Sequence, residues 1–114
     1  MKKMERLKSD RDFQRIYKNG NSFANKYLIV FFMKNKMNIN RVGFVTTKKL
    51  GNSVKRNKYK RRLKESYRLN SNKLKKGYDM IFLFRKNIPE LEYKDINSAL
   101  NHIISISGLK KGRK

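Results

Sequence analysis

The apolar positions of this chain fall into short runs with two different periods. Phe13, Ile16 and Tyr17 recur at helical spacing behind Ser9, a capping residue with Asp12 in the reciprocal capping-box position. Gly20 suits the stop, so the pattern predicts a first helix over 10–18. Residues 21–25 read as a polar connection or a short edge strand around Phe23. Residues 26–33 are rich in β-branched and aromatic side chains and read as a strand. A polar turn over 34–40 separates it from a strand over 41–47, where Val42 and Phe44 alternate with Gly43 and Val45. These two strands are expected to pair as a hairpin with a longish loop. From residue 54 onward Tyr59, Leu63 and Tyr67 stand four apart, within an arc of roughly 80° on a helix. Asn52 or Ser53 can cap that helix. After a polar, basic loop over 70–77, residues 78–84 are nearly all apolar, the mark of a central strand buried on both faces. Pro89 breaks the chain, and Ile96, Ala99, Leu100, Ile103 and Ile104 mark a last amphipathic helix over 92–106. Strand, helix, strand make a βαβ unit in a small α+β sandwich, with helices on one side of the sheet and a second surface left over.

Charge changes the picture. The chain has 114 residues, the size of one domain (1–114), with 1–8 and 108–114 expected as flexible basic tails. Lys and Arg number 31 against 8 acids, a formal net charge of +23. A balance this basic implies a polyanion, RNA or DNA before an anionic membrane. With no cysteine there is no disulfide framework, thiolate nucleophile or cysteine zinc site. The longest apolar run, 27–33, is too short to span a bilayer, and the polar start has no leader-peptide pattern, so a cytoplasmic protein is the simplest reading.

The positive charge is densest between Lys48 and Arg68, where ten of twenty-one residues are Lys or Arg and Glu65 is the one acid. A charge run on a helix is usually a solvated face. Such faces alternate signs to gain i,i+4 pairs, and here only Arg61–Glu65 has that spacing. Like charges this dense repel unless an anion is present. The acids are scattered, with no two placed on a shared site, and His102 is the single histidine, read as a structural or surface residue. Gly51-Asn52-Ser53 lacks the Walker spacing. No residue is therefore assigned a catalytic or metal-binding role; the chain reads as a binder of nucleic acid.

The central stretch resembles the signature of the bacterial ribonuclease P protein subunit. The match runs through Arg41-Val42-Gly43, Lys48-Lys49-Leu50-Gly51-Asn52-Ser53-Val54, Arg56-Asn57 and Lys60-Arg61. Asp12-Phe13-Gln14-Arg15-Ile16-Tyr17, Lys18-Asn19-Gly20 and Ser22-Phe23-Ala24-Asn25 resemble the family's N-terminal segment, and 81–85 its last strand. Lys58 departs from the family's final Arg, Lys64 replaces an Arg of many members, and Tyr17 replaces a Phe. Lysine keeps the charge and loses the bidentate fork.

The resemblance implies an αβββαβα fold like that of certain ribosomal proteins, a mixed sheet and a left-handed crossover at the basic helix, an exception to the usual hand. It implies an endoribonuclease whose chemistry resides in a catalytic RNA with bound Mg²⁺, this chain itself holding no cofactor. Precursor tRNA would be the substrate, losing its 5′ leader. Lys48, Lys49, Asn52, Arg56, Asn57, Lys60, Arg61, Lys64 and Arg68 would bind the RNA subunit. Phe13, Tyr17 and Phe31 would stack leader bases, although spacing alone favours them as core. Three alternatives carry their own signatures: a ribosomal or RNA-chaperone protein without a role in cleavage, a DNA-binding module with its helix in a major groove, and a nuclease that works without RNA.

Overall fold

A computed structural model describes residues 4–112 of the chain. The element order is α1 (Asp10–Asn19), β1 (Asn21–Ala24), β2 (Leu28–Lys34), β3 (Arg41–Val45), α2 (Ser53–Asn70), β4 (Tyr78–Phe84) and α3 (Tyr93–Ile106). Local chemistry sets the helix starts. Ser9 Oγ accepts from the Asp12 N–H at 3.1 Å, and Asn52 Oδ1 accepts from the Lys55 N–H at 2.9 Å, so Asn52 rather than Ser53 caps α2. Asp95 accepts from the Glu92 N–H at 2.8 Å and closes the start of α3. Among the described residues no helix is long and apolar enough to cross a membrane.

The sheet runs β1-β2-β4-β3, antiparallel except for the parallel β3–β4 pair. The expected hairpin between β2 and β3 is therefore corrected: β4 lies between them, paired along its whole length with β2. Two asparagines explain the path. Asn35 N–H donates to Gly77 O at 2.9 Å, and Asn40 accepts from the Tyr78 N–H and donates to Lys75 O at 2.7 Å. These bonds clamp the 34–40 connection across the start of β4, so it bridges a strand instead of turning tightly. The central place puts β4 under helices on both faces, with Met80 and Phe82 in the layer of α2 and α3 and Ile81 beneath α1, all three fully buried.

Period-two alternation divides the sheet into two faces. Leu28, Val30, Phe32, Val42, Phe44, Met80, Phe82 and Phe84 form the main core with Tyr59, Leu63 and Tyr67 of α2 and Ile96, Leu100 and Ile103 of α3. The Tyr59 hydroxyl accepts from the Leu91 N–H at 2.7 Å, and Asn97 accepts from Ser66 and Asn70, so the buried polar atoms of this layer are paired. The surface expected to be left over is partly occupied. α1 packs there, with Phe13 and Ile16 over Phe31, Ile81 and Leu7. A Cβ on Gly43 would lie 2.6 Å from Phe13 Cζ, so glycine lets that ring rest directly on the sheet. The next row, Ile29, Leu83 and Val45, stays half-buried beside the helix.

Both expected tails are tied down where they are described; residues 1–3 and 113–114 lie outside the described residues. Glu5 O accepts from Val42 N and Leu7 N donates to Val42 O, both at 3.0 Å, which covers the outer edge of β3. Leu7 and Leu109 are buried, and Lys75 and Lys111 donate backbone bonds to Leu109 and Lys73. Apolar side chains at 7 and 109 need cover, and the chain ends follow them inward.

α1 is fixed by one carboxylate. Asp79, fully buried at the start of β4, accepts from Arg15 at 2.8 Å, from Arg41 at 2.7 and 2.9 Å and from Asn35 at 2.9 Å. Arg15 also donates to Asp12 at 2.9 Å, with Arg41 3.6 Å from the same carboxyl. That first hydrogen bond outweighs partial desolvation and holds Asp12 below its ordinary 3.8. Its contribution to stability is thus present above pH 3.8 and lost as pH falls through the lower folded value. Asp79→Asn leaves the guanidinium groups without their counter-charge and is expected to cost about 3 kcal/mol in urea unfolding. A loss under about 0.5 kcal/mol, the range of ordinary surface changes, would remove Asp79 from this role.

Candidate nucleic-acid interface

The basic turn and helix are built by their own backbone. After β3, a single 3-10 turn presents Lys48 and Lys49 to solvent. Gly51 follows at φ 148°, a region that favours glycine, and Asn52 caps α2. Arg56 donates to Gly51 O at 2.8 Å, so one guanidinium N–H braces the turn while the group stays half-exposed. Asn52 is exposed, and its capping oxygen leaves the amide nitrogen for a partner.

The cations of α2 are sorted. At about 100° per residue, Asn57, Lys60, Arg61, Lys64 and Arg68 fall within one arc of about 100°. Lys55, Lys58 and Arg62 lie beyond the core face on the other flank. The contacts agree: Lys55 reaches Glu90 at 3.5 Å, and Arg62 donates to Leu91 O at 2.9 Å. Both also lie over the Tyr59 ring, at 5.3 and 6.0 Å from its centroid. Every predicted residue on α2 is thus placed on one flank, apart from Arg56 at the turn. The expected Arg61–Glu65 pair is replaced by Glu65–Arg68, with nitrogens 2.7 and 3.1 Å from the carboxylate oxygens.

Lys64 is held below the usual lysine range, first by partial burial and then by Arg6 and Lys60. Arg6 is brought there by the N-terminal bridge to Val42 and lies 5.8 Å over the Phe44 ring. Sequence reasoning missed Arg6 because no local pattern showed that its segment runs along β3.

The three aromatic residues come together on the opposite sheet face. Tyr17 meets Phe31 edge-on, with centroids 5.0 Å apart, and Phe13 covers Gly43. Phe13 and Phe31 are half-buried, whereas Tyr17 keeps 37% of its surface exposed. They are partly packing residues and partly a surface, continued by Ile29, Leu83 and Val45.

Two acids do meet, contrary to the expectation of scattered ones. Asp12 and Asp79 share Arg15 and Arg41, and those guanidinium groups take up their oxygens. Among the described residues no three His, Asp or Glu side chains are grouped to hold a metal ion. His102 is exposed, and its Nδ1 lies 3.1 Å from the Asn25 amide.

Comparison with known proteins shows a family. The family model for ribonuclease P matches residues 1–107. The ribonuclease P protein component of Alkaliphilus oremlandii is 48% identical over 104 residues, 91% of each chain. The Staphylococcus aureus RNase P protein superposes with a TM-score of 0.86 at 34% identity, covering 96% of this chain and all of that one. The Thermotoga maritima RNase P protein gives 0.82 at 34% identity, with 90% of this chain and 96% of that one covered.

The strained lysine yields a prediction. A lysine with a lowered folded pKa costs stability that is recovered as pH rises through that pKa toward the unfolded value. Lys64→Gln is expected to raise the melting temperature of the free protein at neutral pH and to weaken binding to a structured polyanion. The log–log salt slope should drop by about 0.7–0.9, the loss of one phosphate contact. A variant that melts lower than wild type, or binds with an unchanged slope, would contradict this.

Proposed function

The chain belongs to the ribonuclease P protein family, and on that premise we propose that it binds the catalytic RNA and steadies the 5′ leader of precursor tRNA. One observation carries the reading: Asn57, Lys60, Arg61, Lys64 and Arg68 share one flank of α2, where Lys64 is held below the usual lysine range by partial burial and then by the charges of Arg6 and Lys60. RNA phosphates supply the counter-charge for this flank and release counterions, so affinity depends steeply on salt. The turn residues Lys48, Lys49 and Asn52 and the braced Arg56 extend the same surface toward the RNA.

The leader lies across the other sheet face. Tyr17, Phe13 and Phe31 offer rings to unpaired bases without reading their identity. Membership in an endoribonuclease complex asks for a metal-dependent hydrolysis, and the RNA subunit supplies it with Mg²⁺. This chain's residues bind, orient and neutralise; its two neighbouring carboxylates are already held by arginines. The product is a tRNA with its mature 5′ end, made in the cytoplasm.

The test is reconstitution with a bacterial ribonuclease P RNA and precursor tRNA. The protein alone should cleave nothing, and the assembled enzyme should process the 5′ end at Mg²⁺ levels where the RNA alone is inactive. Repurified, RNA-free protein that cuts at the correct site would overturn the reading. Absence of stimulation, with tight RNA binding, would favour a ribosomal or chaperone role instead. Phe13→Ala with Tyr17→Ala should leave affinity for the RNA subunit nearly unchanged and lower the preference for precursor over mature tRNA by about tenfold. Thermal melts must show the double variant folded, because truncating a packed Phe costs about 3–5 kcal/mol. A folded double variant with undiminished preference would return these rings to packing alone.

A further inference from the structure

At the far end of α2 from its basic turn lies a groove whose lining includes Arg68. It has a volume of about 400 Å³, within the range of small-ligand sites. The same bonds that tie down the loops build it. Asn40 holds the β2–β3 connection against Lys75, and Lys111 donates its backbone N–H to Lys73 O, bringing the C-terminal segment alongside.

Tyr67 forms its floor. The ring is packed against Phe44 and Phe82, with centroids 5.6 and 5.9 Å away, and the residue is only 5% exposed. Among the described residues its hydroxyl has no hydrogen-bond partner, whereas the Tyr59 hydroxyl about two turns earlier is paired with Leu91. No buried side-chain oxygen or nitrogen among the described residues lacks a partner, so the Tyr67 hydroxyl must open onto the groove it lines. Burial raises its pKa further above 10, which keeps it a neutral donor at any working pH. A partner that enters the groove can accept from that neutral donor.

The rest of the lining describes that partner. Ile39 and Leu74 supply apolar walls, and the exposed amides of Asn38 and Asn72 flank the opening. Lys76, Lys111 and Arg68 supply positive charge to the lining, against one acid, Glu5. A flat body with a hydrogen-bonding edge and an attached phosphate is the chemistry this combination matches.

We propose that the groove takes one unpaired nucleotide of the RNA subunit, its base edge at the Tyr67 hydroxyl and its phosphate on Lys76 and Lys111. The inference rests on the function proposed above, which places that RNA along α2. From Arg56 to Tyr67 the helix rises about 16 Å, so the groove is a second point of attachment, beyond the basic turn. It adds a reader of base shape to a surface otherwise made of charge.

The test uses the free, isotope-labelled protein titrated with adenosine and uridine 5′-monophosphates, and separately with inorganic phosphate. Nucleotides should give saturable shifts at the amides of Asn38, Ile39, Asn72 and Lys76, and phosphate alone should not reproduce them. Tyr67→Phe keeps the packed ring and should weaken nucleotide binding at least threefold, with an unchanged melt. In the complex, Tyr67→Phe with Lys76→Ala should raise the Kd for the RNA subunit at least fivefold. Absent or non-saturating nucleotide shifts, or an unaffected Tyr67→Phe variant, would overturn the groove while leaving tight RNA binding intact. Saturable nucleotide binding in a protein that does not bind the RNA subunit would overturn this occupant along with the proposed function.

Discussion

A carboxylate with no exposed surface persists only when donors and cations enclose it, and Asp79 imposes that condition on the middle of this fold. Its donors come from three places: Arg15 on α1, Arg41 at the start of β3, and Asn35 in the connection that crosses β4. Meeting the needs of one side chain therefore sets the helix on the sheet, the neighbour of the central strand and the path of a loop. Gly43 completes the arrangement by letting Phe13 approach the strand. The aromatic surface exists in its present form because α1 can sit in only one place.

The same sheet separates two kinds of work. One face carries α1 and its rings; the other carries α2 and α3, with the cations of α2 turned outward. Within α2 the charges are divided again. Lys55 and Arg62 are engaged by Glu90, Leu91 and the Tyr59 ring, and so belong to packing as much as to binding. Lys64 instead feels the charges of Arg6 and Lys60, and among the described residues neither Lys60 nor Lys64 is in an ion pair. A net charge of +23 in so small a body works against the compact state through self-repulsion. A polyanion that bound the α2 flank of the folded form would add stability by linkage.

Much of this was legible where the signal is local. The caps at Ser9 and Asn52, the four-residue spacing of Tyr59, Leu63 and Tyr67, and the apolar run of β4 each report a nearby interaction. The order and spacing of the basic motif pointed to the family. What stayed hidden depends on residues far apart in sequence. Nothing within 34–40 reveals that Asn35 and Asn40 will bond across to 75–79, so β2 and β3 looked like a hairpin. Nothing near Asp79 shows that its partner Arg15 lies 64 residues away. The chain ends looked like polar tails because Leu7 and Leu109 are single apolar residues in basic surroundings, and a lone side chain has no period. Arg6 went unnoticed for that reason.

The central claim is that one flank of α2, and not the helix as a whole, meets the RNA subunit. Lysine acetylation of the free protein and of its complex with the RNA, read residue by residue in a mass spectrometer, tests it most directly. The account predicts strong protection of Lys48, Lys49, Lys60 and Lys64 in the complex, with Lys55 and Lys58 reacting as they do in the free protein. Equal protection of Lys55 and Lys58, or continued reactivity of Lys60 and Lys64, would contradict it.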